Sequence, residues 1–447
     1  TLASLLYKSK NYTEAEKIIN ASLYINPNDC KTILISADIL FSSKQYKKSI
    51  FYMNKALEII SKSDELHYKI GKAYQLINNN KLAIYHYTEA TKINNKELIY
   101  INDLVNLIKK SGDYEKAIKI YQTASSIHKE NESIYYNLGN IFLEKKDYNL
   151  AINNYKKSIE LNSGIDKFYF NLAKAYLGNN QIEDSIYMLN KCININNKYT
   201  QAYSDLGKIY LEKEDIDKSI LYFKKALRID PAYFDALNNI ACSYMLKGSL
   251  ETARKYFKEV LLAKPNESEI HKNYSFTLLS SGDYINGFKE YEWRLNNTNL
   301  EVQPKNQRWG GIIKQNNEEI LIISEQGLGD TIQFIRYIKY LKKNNIKYSL
   351  CIQEKLHELI KISGLDINPY SKSTHIESNS KKWMPLLSLP LYLGVTPLNP
   401  LVTEPYIHVK DNIYIHWREK LKKGNKPLVG INWQGNPETE NNILKGR

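Results

Sequence analysis

The chain has 447 residues, of which 43% are hydrophobic, so it is longer than one ordinary core requires and too apolar to be disordered. Sixty-two basic residues against 48 acidic ones give a formal charge of +14. The lysines are scattered among Asn, Ile and Tyr rather than massed, which reads as a solvated surface and argues against a nucleic-acid partner.

From the first residues a pattern recurs every 34 positions. Its phase is set by ESIYYNLGNIFLEKKDYNLAINNYKKSIELNS, which begins at Glu132 and is numbered from position 1. Leu138 and Gly139 are then positions 7 and 8, Phe142 is 11, Ala151 is 20, Tyr155 is 24 and Ser158 is 27. Stepping by 34 gives Leu172, Ala173, Tyr176, Ser185, Leu189 and Cys192, and then Leu206, Gly207, Tyr210, Ser219, Phe223 and Ala226. Backwards, it gives Leu104, Val105, Ile108, Ala117, Tyr121 and Ala124, with Ile70, Gly71, Tyr74, Ala83, Tyr87 and Ala90 before them. The opening fragment keeps Ala3, Leu6, Ala15, Ser22 and Pro27.

Small residues at 8, 20 and 27 let two helix backbones approach, and large ones at 7, 11 and 24 fill the space between them. SGDYEKA, EKKDYNLA and EKEDIDKS supply the turn chemistry between the helices, and Pro231 and Pro265 precede the next helix. One such helix pair cannot bury its apolar face alone, so the pairs must stack.

These residues resemble the tetratricopeptide-repeat (TPR) family over about two thirds of the chain. The implied fold is an α-solenoid over residues 1–295, a TPR superhelix of about nine units with the first partial and the last divergent. The family resemblance implies that the first helix of each pair lines a concave groove that binds a protein or peptide. Position 6 of the unit is Asp103, Asn137, Asn171, Asp205, Asn239 and Asn273. This column resembles the asparagine ladder of the O-GlcNAc transferase family, and Asn both donates and accepts hydrogen bonds to an extended backbone. Asn is also common at this position in ordinary TPR units. Each hydrogen bond nets about 0.5–1.5 kcal/mol. Ordering a peptide residue costs about 1–2 kcal/mol, so a ladder alone binds weakly.

A divergent last unit starts near Ser268 and ends at Trp293 and Arg294, and a polar linker is expected over 296–311. The periodicity then changes. Glu319–Ser324 reads as a buried strand, followed by EQGLGD and a helix from about Thr331 to Lys343. Lys347–Ile352 reads as a second strand and Glu354–Ser363 as a second helix, which makes an α/β Rossmann-like unit. Leu386–Val395 reads as a short helix, Ile413–Leu421 as a helix, and Leu428–Trp433 as a strand running into QGNP.

EQGLGDTIQFIRY, PLLSLP, PYI and VGINWQGNP, in this order, resemble bacterial TPR-linked glycosyltransferases, which are similar to heptosyltransferases and, more distantly, to O-GlcNAc transferase. The resemblance covers roughly Trp309 to Arg447. It implies a GT-B architecture in which 312–447 is the acceptor-side N-terminal lobe, running into the start of a missing second lobe that binds the nucleotide-sugar donor. Sugar transfer by this chain alone is not expected.

Gly327 and Gly329 permit a tight turn at a strand's carboxyl end, where open α/β sheets bind ligands. Asp330 opens the following helix. It is read either as an N-cap or as the general base that the heptosyltransferase resemblance implies, and one residue can do both. Glu325 is a second acid/base candidate. Gln333 and Tyr337 are four apart and share a helical face, where they can hold acceptor or phosphate oxygens. Arg336 does the same or pairs with Glu325. Trp433, Gln434, Gly435 and Asn436 are read as the donor side, approaching a diphosphate with backbone amides. Lys445 and Arg447 lie where the family carries a basic residue.

Cys30, Cys192, Cys242 and Cys351 lie outside metal-ligand spacing, and Cys192 and Cys242 read as packing thiols of a reducing, cytoplasmic compartment. His357, His375, His408 and His416 form no pattern with Cys or carboxylates, so no metal and no resident cofactor is expected. No apolar run approaches the ~20 residues a membrane span needs. The second functional reading is a non-catalytic TPR adaptor with the α/β part as a docking domain.

Overall fold

The computed structural model describes residues 2–296, 307–310, 319–325, 327–371 and 382–421. It separates into two compact units, residues 1–202 and 203–447.

Among the described residues, nine helix pairs run from α1 (Leu2–Lys8) and α2 (Tyr12–Ile25) to α17 (Ser268–Ser280) and α18 (Tyr284–Tyr291). Between them come α3 (Cys30–Ser42), α4 (Tyr46–Ile59), α5 (Asp64–Leu76), α6 (Asn80–Ile93), α7 (Leu98–Lys110), α8 (Tyr114–Ile127) and α9 (Glu132–Glu144). They continue with α10 (Tyr148–Leu161), α11 (Asp166–Gly178), α12 (Ile182–Ile195), α13 (Thr200–Glu212), α14 (Ile216–Ile229), α15 (Phe234–Leu246) and α16 (Leu250–Ala263). From Cys30 to Ser268, the first helix of each pair starts 34 residues after the last, at position 1 of the sequence unit. The helices form an α-solenoid of TPR-type pairs.

The small positions are buried as the pattern requires. Ala83, Ala117, Ala151, Ala226 and Ala253 are among the fully buried residues. Position 8 has a more specific reason for its size than backbone approach. A Cβ on Gly139 would lie 2.6 Å from the Tyr155 ring, and one on Gly207 2.6 Å from the Phe223 ring. Glycine there makes room for the aromatic ring at position 24 of its own pair.

Position 15 is left-handed in every unit, with φ between 58° and 85°, although only Gly112, Gly248 and Gly282 among these residues are glycines. Lys10, Lys44, Asn78, Lys146, Asn180 and Glu214 adopt the same conformation because it closes the first helix, letting the N–H of position 16 bond the carbonyl of position 11, as Gln45 does to Leu40 at 2.8 Å and Asp147 to Phe142 at 2.9 Å. In six of the nine pairs the second helix is then capped by a side chain, that of Asn11, Asn79, Asp113, Asp147, Asp215 or Asp283, each accepting a hydrogen bond from the N–H three residues on; Gln45, Gln181 and Ser249 make no such bond.

In the second unit, α18 runs into a 3-10 turn, Glu292–Asn296. A five-stranded sheet follows, with β1 (Gln307–Arg308), β2 (Ile320–Ile323), β3 (Tyr348–Ile352), β4 (Tyr370–Ser371) and β5 (Lys382–Pro385). The order is β1-β5-β2-β3-β4, and every pairing is parallel. In register, Ile320 faces Tyr348 on one side and Lys382 on the other. The chain steps outward from β2 through β3 to β4, and β5 returns on the opposite side of β2. Phe288 and Tyr291 of α18 share one core with Ile320, Ile322, Leu350 and Met384 of the sheet.

Four expectations are corrected, and one strand was not foreseen. Gln307–Arg308 is an edge strand on β5 and Trp309 is buried, so the far end of the expected linker is part of the sheet. The helix after the glycine turn starts earlier, as α19 (Leu328–Phe334), and α20 (Arg336–Lys343) follows after Ile335. The strand β5 reads KWMP, which carries neither alternation nor an apolar run, and its pairing with both β1 and β2 creates it. Glu354–Leu356 is a 3-10 turn leading into α21 (His357–Ile362), and Leu386–Ser388 one leading into α22 (Leu389–Tyr392). The last described helix is α23 (Asp411–Leu421). The expected strand Leu428–Trp433 lies outside the described residues.

Candidate functional site

In the first unit, the position-6 column is tied into cross-repeat hydrogen bonds. Asn137 donates its amide to Asn102 Oδ1 at 3.3 Å and to the Tyr121 hydroxyl at 3.1 Å. Asn171 donates to the Tyr136 hydroxyl at 2.8 Å and to Asn140 Oδ1 at 3.0 Å. Tyr121 and Tyr155 in turn donate to Asn102 and Asn140, at 2.8 and 2.7 Å. Burial raises both phenols, so they stay neutral donors. Asp103 accepts from the Tyr68 hydroxyl at 2.8 Å and lies 3.7 Å from Lys72. Among the described residues, Oδ1 of Asn137 and of Asn171 receives no hydrogen bond, and both residues are half-buried. At these two positions the preceding repeat fixes the amide and leaves the carbonyl oxygen unbonded.

The column differs in the second unit. Asp205 is half-buried and pairs with Lys208 at 3.6 Å. Asn239 and Asn273 are only 7% and 5% exposed, and Asn273 donates to Cys242 Sγ at 3.8 Å. Both side chains are buried, unlike those of Asn137 and Asn171, which are half-buried.

The glycine turn sits at the carboxyl end of β2, beside the point where the strand order reverses. Gly327, not Asp330, is the N-cap of α19. Asp330 sits in the first turn, where its carboxylate accepts the Gly327 N–H, the returning half of a capping box. Burial raises the Asp330 carboxyl above its ordinary range, and the Gly327 hydrogen bond opposes the rise. Sequence reasoning passed over Thr331, which is fully buried and donates to Gly327 O at 3.2 Å or to Gln353 Oε1 at 3.0 Å, pinning the turn to the end of β3. Gly329 is exposed. Gln333 is exposed while Tyr337 is buried in the sheet core, so the two do not form one binding face. Arg336 donates to Gln333 O at 2.8 Å and lies over the Tyr406 ring at 5.2 Å.

The partner of Glu325 is Arg294 and not Arg336. Arg294 reaches Glu325 at 2.8 Å, Ser388 Oγ at 2.9 Å and Glu292 at 2.8 Å. Glu292 also pairs with Arg308 and accepts from Ser388 Oγ at 2.7 Å, and the Leu387 N–H donates to Glu325 at 3.1 Å. The Glu325 side chain is 0% exposed. Burial raises its carboxyl against the pull of Arg294. Burial works against Glu292 too, but Arg294 and Arg308 beside it hold that carboxyl below its usual range. This cluster ties the 3-10 turn after α18 to the ends of β2 and β5, with the Glu325 carboxylate buried at its centre and its Oε2 left without a hydrogen bond among the described residues. Nothing in the sequence pattern marks Arg294, Glu292 or Ser388 as its partners, because they are far apart in the chain.

Gln434, Gly435 and Asn436, with Trp433, Lys445 and Arg447, lie outside the described residues. Among the described residues no group of three or more His, Cys, Asp or Glu is placed to hold a metal ion, and no helix is long and apolar enough to cross a membrane. Cys30, Cys192, Cys242 and Cys351 are free thiols, and burial pushes Cys192 and Cys242 up to about 12.

Family models described as tetratricopeptide repeat match residues 1–29, 32–63, 133–164, 166–199, 200–233 and 222–255, and one described as TPR repeat matches 106–146. A 74-residue stretch is 32% identical to the UDP-N-acetylglucosamine–peptide N-acetylglucosaminyltransferase of Caenorhabditis elegans, covering 17% of this chain and 6% of that protein. A 120-residue stretch is 22% identical to anaphase-promoting complex subunit 3 of Schizosaccharomyces pombe, covering 27% of this chain and 18% of that protein. The chain therefore matches only a small part of either relative's length. Among solved structures, the C-terminal part of a TPR repeat-containing protein from Cytophaga hutchinsonii is 19% identical with a TM-score of 0.47, covering 54% of this chain and 98% of that one. YrrB, described as a TPR protein with an unusual peptide-binding site, is 18% identical with a TM-score of 0.35, covering 41% of this chain and 95% of that one. With the family matches laid over helix pairs of constant register, the helical part of this chain is an array of tetratricopeptide repeats.

Proposed function

We propose that the chain is a protein-interaction scaffold that holds an extended peptide segment against the first helices of its repeats in the first unit. The observation that carries this reading is the pair of oriented carbonyls on Asn137 and Asn171, whose amide hydrogens are already spent on the neighbouring repeat. Two such acceptors can take backbone N–H groups of a peptide, whatever its sequence. At about 0.5–1.5 kcal/mol each, the pair contributes roughly 5- to 150-fold in affinity. The test is selection of binders from a displayed library of unstructured peptides. Peptides recovered on the wild-type chain weaken by that factor on a folded Asn137→Ala/Asn171→Ala variant. Undiminished binding refutes the assignment.

A second reading concerns the α/β part: the acceptor-side lobe of a GT-B glycosyltransferase of Rossmann-like fold, completed by a nucleotide-sugar-binding lobe in a longer protein. What supports it is the half-buried Asp330 on a glycine turn at the reversal of strand order, the position where a general base would meet an acceptor hydroxyl. Sugar transfer by the full-length protein, compared with Asp330→Asn, tests it. Unchanged turnover removes Asp330 from catalysis, and absence of sugar transfer by the full-length protein leaves the α/β part as a docking domain; neither outcome touches the scaffold reading.

A further inference from the structure

We propose that His67 and His86 form a two-imidazole site for a divalent transition-metal ion of the zinc, copper or nickel class, clamping α5 to α6. Their Nδ1 atoms lie 3.1 Å apart. Two imidazole nitrogens bound to one ion at about 2.0–2.1 Å, with that separation, subtend an angle of about 98°. That angle falls between square-planar and tetrahedral geometry, so the separation of the pair suits this ion class.

The rings are held in place by their neighbours. His86 is only 8% exposed. It stacks on Tyr74 at 5.5 Å and 23° and meets the edge of Tyr85 at 5.1 Å and 86°. His67 approaches from the facing helix with ring centroids 5.3 Å apart, and it is half-buried, which leaves a way in for an ion and for the waters that complete its shell. Neither Nε2 bonds to a described residue, so each can carry the ring proton. In the metal-free pair, one Nδ1 must hold a proton to bond the other. On binding, that proton leaves Nδ1, both rings take the Nε2–H tautomer, and both Nδ1 lone pairs go to the ion. Glu89, one turn beyond His86, places a negative charge near both rings. Burial, with the second ring beside it, brings His86 down to about 4, and burial lowers His67, so protons compete little near neutral pH. Imidazole nitrogen without a cluster of carboxylates argues against magnesium or calcium.

The experiment is calorimetric titration of the untagged, EDTA-stripped chain with zinc chloride, with magnesium chloride as the comparison. One zinc ion is expected to bind in the micromolar range and to raise Tm, while magnesium does neither. His86→Phe keeps a ring against Tyr74, and His67→Gln replaces the less buried partner. Each variant is expected to weaken zinc by at least about tenfold, with its circular dichroism unchanged. His357→Ala and Cys30→Ser are expected to bind as the wild type does. Absence of saturable zinc binding, or equal affinity in both histidine variants, overturns the proposal.

Discussion

Replacing Gly139 by alanine adds one methyl group against Tyr155. Its Cβ would lie 2.6 Å from Cε1 and 2.7 Å from Cδ1, where ordinary contact begins at 3.4 Å, so ring and helix must separate by about 0.8 Å. Tyr155 has little freedom to yield. It is 0% exposed, and its hydroxyl is bonded to Asn140, which also accepts from Asn171. Overpacking of this kind costs about 1–3 kcal/mol. A displaced phenol that loses its bond costs about 0.5–1.5 kcal/mol more. Alanine's better helix propensity returns about 1 kcal/mol. The net expectation is a loss of about 1–3 kcal/mol, read as a lower urea midpoint by far-UV circular dichroism. Truncating the ring in the same chain, as Gly139→Ala/Tyr155→Leu, should cost less than the sum of the single changes by at least about 0.5 kcal/mol. A Gly139→Ala chain as stable as the wild type would show that the ring does not occupy that space, and the packing account of position 8 would fail.

Glu214 sits at φ 61° with a full side chain, so Glu214→Gly should stabilise the chain by about 0.5–1 kcal/mol, measured in the same urea titration. Arg294→Met strands two carboxylates, one of them on a side chain with 0% exposure, and should cost about 3–5 kcal/mol; adding Glu325→Gln should restore part of the lost Tm. Asp330 carries a carboxyl raised above its ordinary 3.8, so its contribution to stability is full below 3.8 and is lost as pH rises through the raised value. Asp330→Asn should therefore melt higher than the wild type at neutral pH, and the difference should vanish in acid; an equal difference at both pH values would contradict the burial argument.

The repeat was legible because its determinants are local and periodic. The identity of positions 8, 20 and 24 announces which helix face is covered, and the polar turn between the helices announces where the second helix begins. At position 15, Lys146 and Glu214 carry no mark of a left-handed residue, and only the register they share with Gly112 and Gly248 reveals it. The position-6 column was visible as residue types, but the sequence did not separate Asn171, with its unbonded carbonyl, from Asn273, buried against Cys242. That difference depends on which side chain the preceding repeat presents.

By itself, the sequence determined the helix pairs, their period, their turns and the glycine turn after the first apolar strand, since each follows from contacts within a few tens of residues. Only the tertiary structure decided that Arg294 closes on Glu325, that KWMP becomes a strand, and that His67 meets His86. Those outcomes depend on buried charges, sheet edges and rings finding partners across elements, and a partner's distance in space is not written in its distance along the chain.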